Sequence, residues 1–418
     1  MVAAADKAFL TRLFDEAVSA AMPETVLGAH MPSPPKGRTV VIGAGKGAAQ
    51  LAAAFDARWD APLSGVVATR YGYACDAGRI EVIEASHPVP DEAGVAATQR
   101  LMQAVEGLGP DDLVVALITG GGSAILAAPP PGFTLAHEQE LNEILLASGA
   151  SITVMNAIRR RFSMVKGGRL AAMAHPAKVI SLIVSDIPGD IAADVASGPT
   201  AAGTEPAEGV LAHAANHGVV LPDWAQAHMA DPSSAPPTGP FTGDEVRVIA
   251  SARLSLEAAA RLAAQEGVPA HILSDALEGE SREVGAVLGA MSKEIASRDR
   301  PFAKPALILS GGETTVTLRG GGAGGPNGEN ALAFARTVSG VPGIAALMAD
   351  TDGIDGIGEN AGAFVDSESW TRIRQAGADP QALLNDNAAW AAFGPLGDIF
   401  APGPSGTNVN DFRAILVR

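Results

Sequence analysis

The chain has 418 residues, 47% of them hydrophobic but only 4% aromatic, and carries a formal net charge of -17. That length exceeds what one hydrophobic core fills, so two domains are expected. The acidic balance excludes general nucleic-acid and anionic-membrane binding, which need a basic face, yet a few local cations can still hold a small anion.

At the N-terminus, Phe9, Leu10, Leu13, Phe14 and Ala17 recur at helical spacing and predict an amphipathic helix rather than a signal peptide. Cys75 is the only cysteine, which excludes an intramolecular disulfide and a multi-cysteine metal site. With no uncharged apolar run long enough to span a bilayer, a cytoplasmic protein with no membrane partner is expected.

A repeating pattern follows, in which a β-branched strand runs into a glycine turn and then an alanine-rich helix. Residues 38–47 (RTVVIGAGKG) lead into the helix at 48–59, and strands are read at 64–70 and 79–85. A helix at 91–108 precedes strand and loop at 112–124 and again at 178–190. Alternation of this kind implies a parallel sheet covered on both faces. The Pro, Gly and Ser-rich stretch 231–243 reads as a linker. A second α/β series starts at 245–251 and continues through strands at 270–275, 305–316 and 344–353. The expected fold is therefore α/β with two three-layer α/β/α domains. The first, residues 1–235, is Rossmann-like with a parallel sheet; the second, 244–418, is smaller with a mixed sheet.

Ligands of open parallel sheets sit beyond the carboxyl ends of the strands, so each strand-end loop is a candidate. Gly43, Gly45 and Lys46 open a helix whose N-terminus favours anions, and Lys46 adds a point charge. The spacing is not that of a Walker A loop. It fits the G-x-G-x-x-A dinucleotide fingerprint, but the usual acidic residue is missing and the next strand ends in Thr69 and Arg70. Gly120, Gly121 and Gly122 followed by Ser123 make an oxyanion nest without the G-x-S-x-G elbow of a serine hydrolase.

The basic run at 155–171 brings Asn156, Arg159, Lys166 and Arg169, which suit a carboxylate or phosphate if they are not a solvated helix face. Asp186 and Asp190 follow a strand, as carboxylates for Mg²⁺ or a reacting hydroxyl would, although turn chemistry also favours them. Gly312 and Glu313 end another strand. Asp350, Asp352 and Asp355 resemble a calcium loop but lack its spacing, so a strand-end Mg²⁺ or substrate site is the expectation. Asn408 lies in a polar turn near the C-terminus. His87 and Cys75 read as structural residues.

The ordered set GAGKGA, ASHPVPDEAG, LITGGGSAILAAPP, MNAIRRRFSMVKGGRLA, SLIVSDIPGDIAADVASGPT, LSGGETTV, ADTDGIDG and GTNVNDF resembles the class II glycerate kinases, the glycerate 2-kinase family with a C-terminal MOFRL domain. The resemblance implies ATP- and Mg²⁺-dependent phosphorylation of D-glycerate to 2-phosphoglycerate in a cleft between the domains. It places the family lysine on Lys46 and its acidic loops on Asp186, Asp190, Glu313 and Asp352. On this reading Lys46, Asp186 and Asp190 are catalytic. Gly43, Gly45, Gly121, Gly122, Ser123, Arg159, Lys166, Gly312, Glu313 and Asn408 bind substrate or phosphate, and Asp186, Asp190 and Asp352 hold the metal. Pro326 stands where members often carry arginine. The family is also labelled hydroxypyruvate reductase; an NAD(P)H-dependent enzyme of that kind and a non-catalytic sensor are the alternatives. A homodimer is left open.

Overall fold

The computed structural model describes residues 1–148, 150, 152–203, 207–216, 218–239 and 241–418. The chain divides into two compact units, one of residues 23–249 and one of residues 1–22 together with 250–418.

In the first unit the strands are β1 (Thr39–Ala44), β2 (Ser64–Arg70), β3 (Ile80–Ala85), β4 (Leu113–Ile118), β5 (Lys178–Val184) and β6 (Glu245–Ala250). They form one sheet in the order β3-β2-β1-β4-β5-β6, and the pairings among β1 to β5 are all parallel. Both β1 and β4 are buried along their whole length, which is why each is a continuous apolar run. The helix Glu92–Ala104 is capped by the Asp91 carboxylate, which accepts from the Gly94 amide. It buries Ala97 and Leu101 against Ile42, Val114 and Ala116. The strand order reverses between β1 and β4, so the loops leaving these two neighbours open a crevice at the carboxyl end of the sheet.

Between β4 and β6 the chain also builds a helical group that strand and helix alternation does not announce. The helices Leu135–Ala147, Ile152–Arg161 and Asp223–Ala230 share a core of Leu141, Leu145, Ile158, Phe162, Ala225 and Met229.

In the second unit β7 (Ala270–Glu280), β8 (Ala306–Thr315), β9 (Ile344–Asp350), β10 (Gly362–Asp366), β11 (Ile399–Phe400) and β12 (Asp411–Val417) make a sheet in the order β11-β10-β9-β12-β8-β7. β7 and β8 pair parallel, whereas β12 runs antiparallel to both β8 and β9, giving the mixed sheet expected. No helix among the described residues is long and apolar enough to cross a membrane.

The unit boundaries differ from those read from the sequence. The helix Ala4–Ser19 buries Phe9, Leu10, Leu13 and Phe14 among Leu256, Leu347, Phe400 and Phe412 of the second unit. Helical periodicity says that a face is buried but not against what. Likewise β6 does not open the second series. Its Glu245 pairs with Lys178 of β5, and the Asp244 carboxylate accepts from the Val179 amide at 2.8 Å, so 245–249 complete the first sheet.

Candidate active site

The loops after β1 and β4 are tied together by their backbones. The Lys46 amide donates to the Gly120 carbonyl at 2.8 Å and the Gly47 amide to Thr119 Oγ1 at 3.1 Å. Gly45, at φ 132°, lies so close to Thr119 that any side chain would collide with it. Gly43 is pressed between β1 and β4, where an added Cβ would meet the Leu117 carbonyl at 2.5 Å. Both glycines of the fingerprint are therefore required by contacts within the protein.

Lys46 and Asp186 converge on the other side of this junction. A methyl group on Gly120 would run into the Asp186 carboxylate, and one on Gly121 would lie 3.0 Å from Lys46 Cγ and 3.3 Å from the His87 ring. Gly121 also has φ 79°, a left-handed conformation that suits glycine. Burial raises the Asp186 carboxyl above its ordinary range, opposed by the nearby Lys46 ammonium. Asp190 sits in the same loop at φ 56°, its amide donating to the Ile187 carbonyl.

The basic run separates into cations with and without an acid. Buried Arg160 pairs with buried Asp194, and buried Lys166 pairs with the partly buried Glu138 at 2.8 Å. Arg169 donates to the Arg160, Lys166 and Ser234 carbonyls. Arg161 likewise meets only the Met229 carbonyl and Ser234 Oγ. Arg159 donates to Asn156 Oδ1 and Asn142 Oδ1, both neutral, with no carboxylate among the described residues in an ion pair with it, and it is the one of these three that lines the recess beside Ser123. Burial lowers its pKa to about 10, with Glu138 opposing. A buried charge is costly unless compensated, so this guanidinium is poised for an anion. Arg159 lines one recess with Ser123, Asn142, Glu138 and Lys166.

Ser123 is held by a short relay. Ser197 donates to Asn156 Oδ1 at 3.0 Å, so in the 2.7 Å contact between the two serines Ser123 is the donor. That spends its proton away from any histidine and leaves no nucleophile elbow. Ser197 itself is fully buried with φ 59°, following Ala196 at φ 53°, a pair of non-glycine residues in left-handed geometry. Strain of this kind collects at functional sites. Gly122 lies against it, where an added Cβ would sit 2.6 Å from Ala196.

His87 and Arg70, which the sequence reading left outside the active site proper, belong to this pocket. Burial and then Lys46, Arg70 and Arg159 hold the His87 imidazole down to about 4. Arg70 is placed by stacking over the Tyr73 ring at 5.0 Å. Convergence of three cations on one histidine is a property of the fold and leaves no local signature. The unfolded chain takes up a proton near pH 6.5, which folded His87 does not accept until about pH 4. It therefore withdraws stability as pH falls through that window. An NMR titration is expected to show the His87 ring neutral at pH 5.5; a midpoint near 6.5 would mean that the cations do not surround it.

The remaining residues expected in the site, Gly312, Glu313, Asp352 and Asn408, lie in the other unit. Gly312 packs against Leu277 across the β7–β8 pair. Asp352 serves loop geometry, accepting from the Ile354 amide at 2.8 Å while its own amide donates to Asp350. Asn408 Oδ1 accepts from the Asn410 amide at 2.9 Å. Asp355 caps the helix Pro326–Val338, accepting from the Asn327 and Gly328 amides at 2.9 Å each, and burial raises it to about 7. Pro326 is the first residue of that helix, where no amide donor is needed.

Fold and site together define an α/β enzyme with a cluster of cations beside a glycine loop at the strand ends of its parallel sheet. The domain of unknown function DUF4147 matches residues 9–230, and the MOFRL family matches residues 306–411. The D-glycerate 2-kinase of Thermotoga maritima is 34% identical over 97% of this chain and 97% of its own length. A crystal structure of glycerate kinase from Thermotoga maritima matches with a TM-score of 0.89 and 33% identity, covering 99% of each chain. A chain from Agrobacterium vitis with a provisional hydroxypyruvate reductase name is 48% identical over 98% of this chain and 94% of its own. The protein belongs to the glycerate kinase family with DUF4147 and MOFRL regions.

Proposed function

We propose that this enzyme transfers the γ-phosphoryl group of ATP to D-glycerate, giving 2-phosphoglycerate and ADP, with Mg²⁺ arriving on the nucleotide. The observation that carries the reading is the meeting of Lys46, Arg159 and Asp186 around the glycine loop after β4. Phosphoryl transfer depends mainly on positioning and on charge stabilisation, which these groups supply. Lys46 and Arg159, which makes no ion pair with a described carboxylate, hold substrate carboxylate or transferring phosphoryl oxygens. Asp186 faces the cation that accompanies the phosphates.

The donor set fits such an ion. Among the described residues no three Asp, Glu, His or Cys side chains gather as a metal cage. Magnesium keeps several waters and needs only one or two carboxylates beside the phosphates, which Asp186 with Asp190 can provide. When bound, the ion neutralises charge on the phosphate oxygens. Lys46, Arg159 and the loop amides orient the acceptor and exclude water.

The provisional reductase name of the Agrobacterium vitis relative motivates the second reading. Against it stands the use of the fingerprint loop by the protein itself, since Gly45 is filled by Thr119 and Thr69 Oγ1 bonds the Lys46 carbonyl at 3.1 Å. Incubation with D-glycerate and MgATP should release ADP, with phosphorus NMR identifying 2-phosphoglycerate. Absence of ADP together with NADPH oxidation on hydroxypyruvate would replace the kinase by the reductase.

A further inference from the structure

The groups around His87 are mostly donors. Lys46, Arg70, Arg159 and the amides of the glycine loop can only donate, which matches the oxygens of a carboxylate or phosphate, while Asp186 on the Gly120 side can accept. A glycerate molecule also carries hydroxyl groups, and a hydroxyl needs an acceptor. His87 lies in the middle of the donors, its Nε2 and Cδ2 edge facing Gly121 beside Lys46. Neither ring nitrogen is hydrogen-bonded to a described residue, and the partly buried ring keeps both nitrogens open to a ligand. A neutral imidazole without a protein partner offers one nitrogen lone pair as an acceptor for a ligand hydroxyl.

Resting on the kinase reading, we infer that His87 is a substrate-recognition residue, whose Nε2 accepts the hydrogen bond of the glycerate hydroxyl that receives the phosphoryl group. The surrounding cations keep the ring uncharged through the neutral range, so that the acceptor lone pair is available. This orients the attacking oxygen towards phosphorus with one of its lone pairs free. It also makes the site selective for a hydroxy acid over an acid of equal charge lacking that hydroxyl. Asp186 is the competing acceptor, on the Gly120 side of the same loop.

Calorimetric binding of D-glycerate and of 3-hydroxypropanoate, which lacks the C2 hydroxyl, separates the two. Without nucleotide, the wild type should prefer D-glycerate by about 3- to 10-fold, the worth of one neutral hydrogen bond. His87→Ala should bring the two affinities together, His87→Gln should keep part of the preference, and Asp186→Asn should leave it in place. The kcat for ADP release should fall by up to about 10²-fold in His87→Ala, because the attacking oxygen loses its orientation, with a smaller change in KM. His87→Phe, close in volume but without an acceptor, repeats the test if the alanine variant loses its thermal transition. Retention of the preference in folded His87→Ala or His87→Phe overturns the inference, as does its loss in Asp186→Asn alone or the absence of any preference in the wild type. A wild type that discriminates but never forms ADP refutes the kinase reading and leaves the role of His87 as a reader of the hydroxyl supported.

Discussion

Replacing Lys46 by alanine is expected to lower kcat/KM for glycerate phosphorylation by about 10³-fold, equivalent to about 4 kcal/mol of transition-state stabilisation. The loop should survive the change, because it is held by backbone groups. The Lys46 amide bonds the Gly120 carbonyl, and Thr69 Oγ1 bonds the Lys46 carbonyl. What disappears is the ammonium that opposes desolvation of Asp186 and lies beside His87. Two spectroscopic consequences follow from the signs. Without Lys46 the His87 titration should move up from about 4, and the Asp186 carboxyl should rise further. Lys46→Arg keeps the charge on a longer, planar group and should recover only part of the rate. Unaltered kcat/KM in folded Lys46→Ala would remove this residue from the mechanism.

How much of this was legible in the sequence depends on whether a feature is local. A β-branched run ended by glycine announces a strand and its turn, so the loops carrying Gly45–Lys46 and Gly120–Ser123 are readable directly. Their adjacency needs only the strand-order reversal of a doubly wound sheet. The basic run shows where sequence reading stops. Lys166 and Arg159 look equivalent in a dense stretch of cations, yet Glu138 compensates one, while the other meets two amide oxygens. Density is visible in a sequence but pairing is not. The same limit hid Arg70 and His87, which come from separate strand ends. It also left unread that the Asp352 carboxylate caps the Ile354 amide. The N-terminal helix was readable as amphipathic, but its partners Leu256 and Phe412 lie hundreds of residues downstream.

Asp194→Ala should produce the largest loss of stability, about 3–5 kcal/mol, because it leaves a buried charge without its partner. Asp194 is 1% exposed and Arg160 5% exposed, and their ion pair is sealed from water. After truncation the Arg160 guanidinium would retain the Ala193 carbonyl at 2.7 Å, while its Nε already lacks a partner. The effect reaches the active site through geometry. The Asp194 carbonyl fixes Asn156, Asn156 fixes Ser197 and Arg159, and Ser197 holds Ser123. Loosening this loop also removes the restraint on the left-handed residues Ala196 and Ser197. Denaturant unfolding of Asp194→Ala, Arg160→Met and the double variant separates charge from packing. Removing both partners should restore more than half of the lost stability, because no lone charge remains. If the single variant costs less than about 1 kcal/mol, the pair is hydrated and cannot be what holds the Ser197 loop.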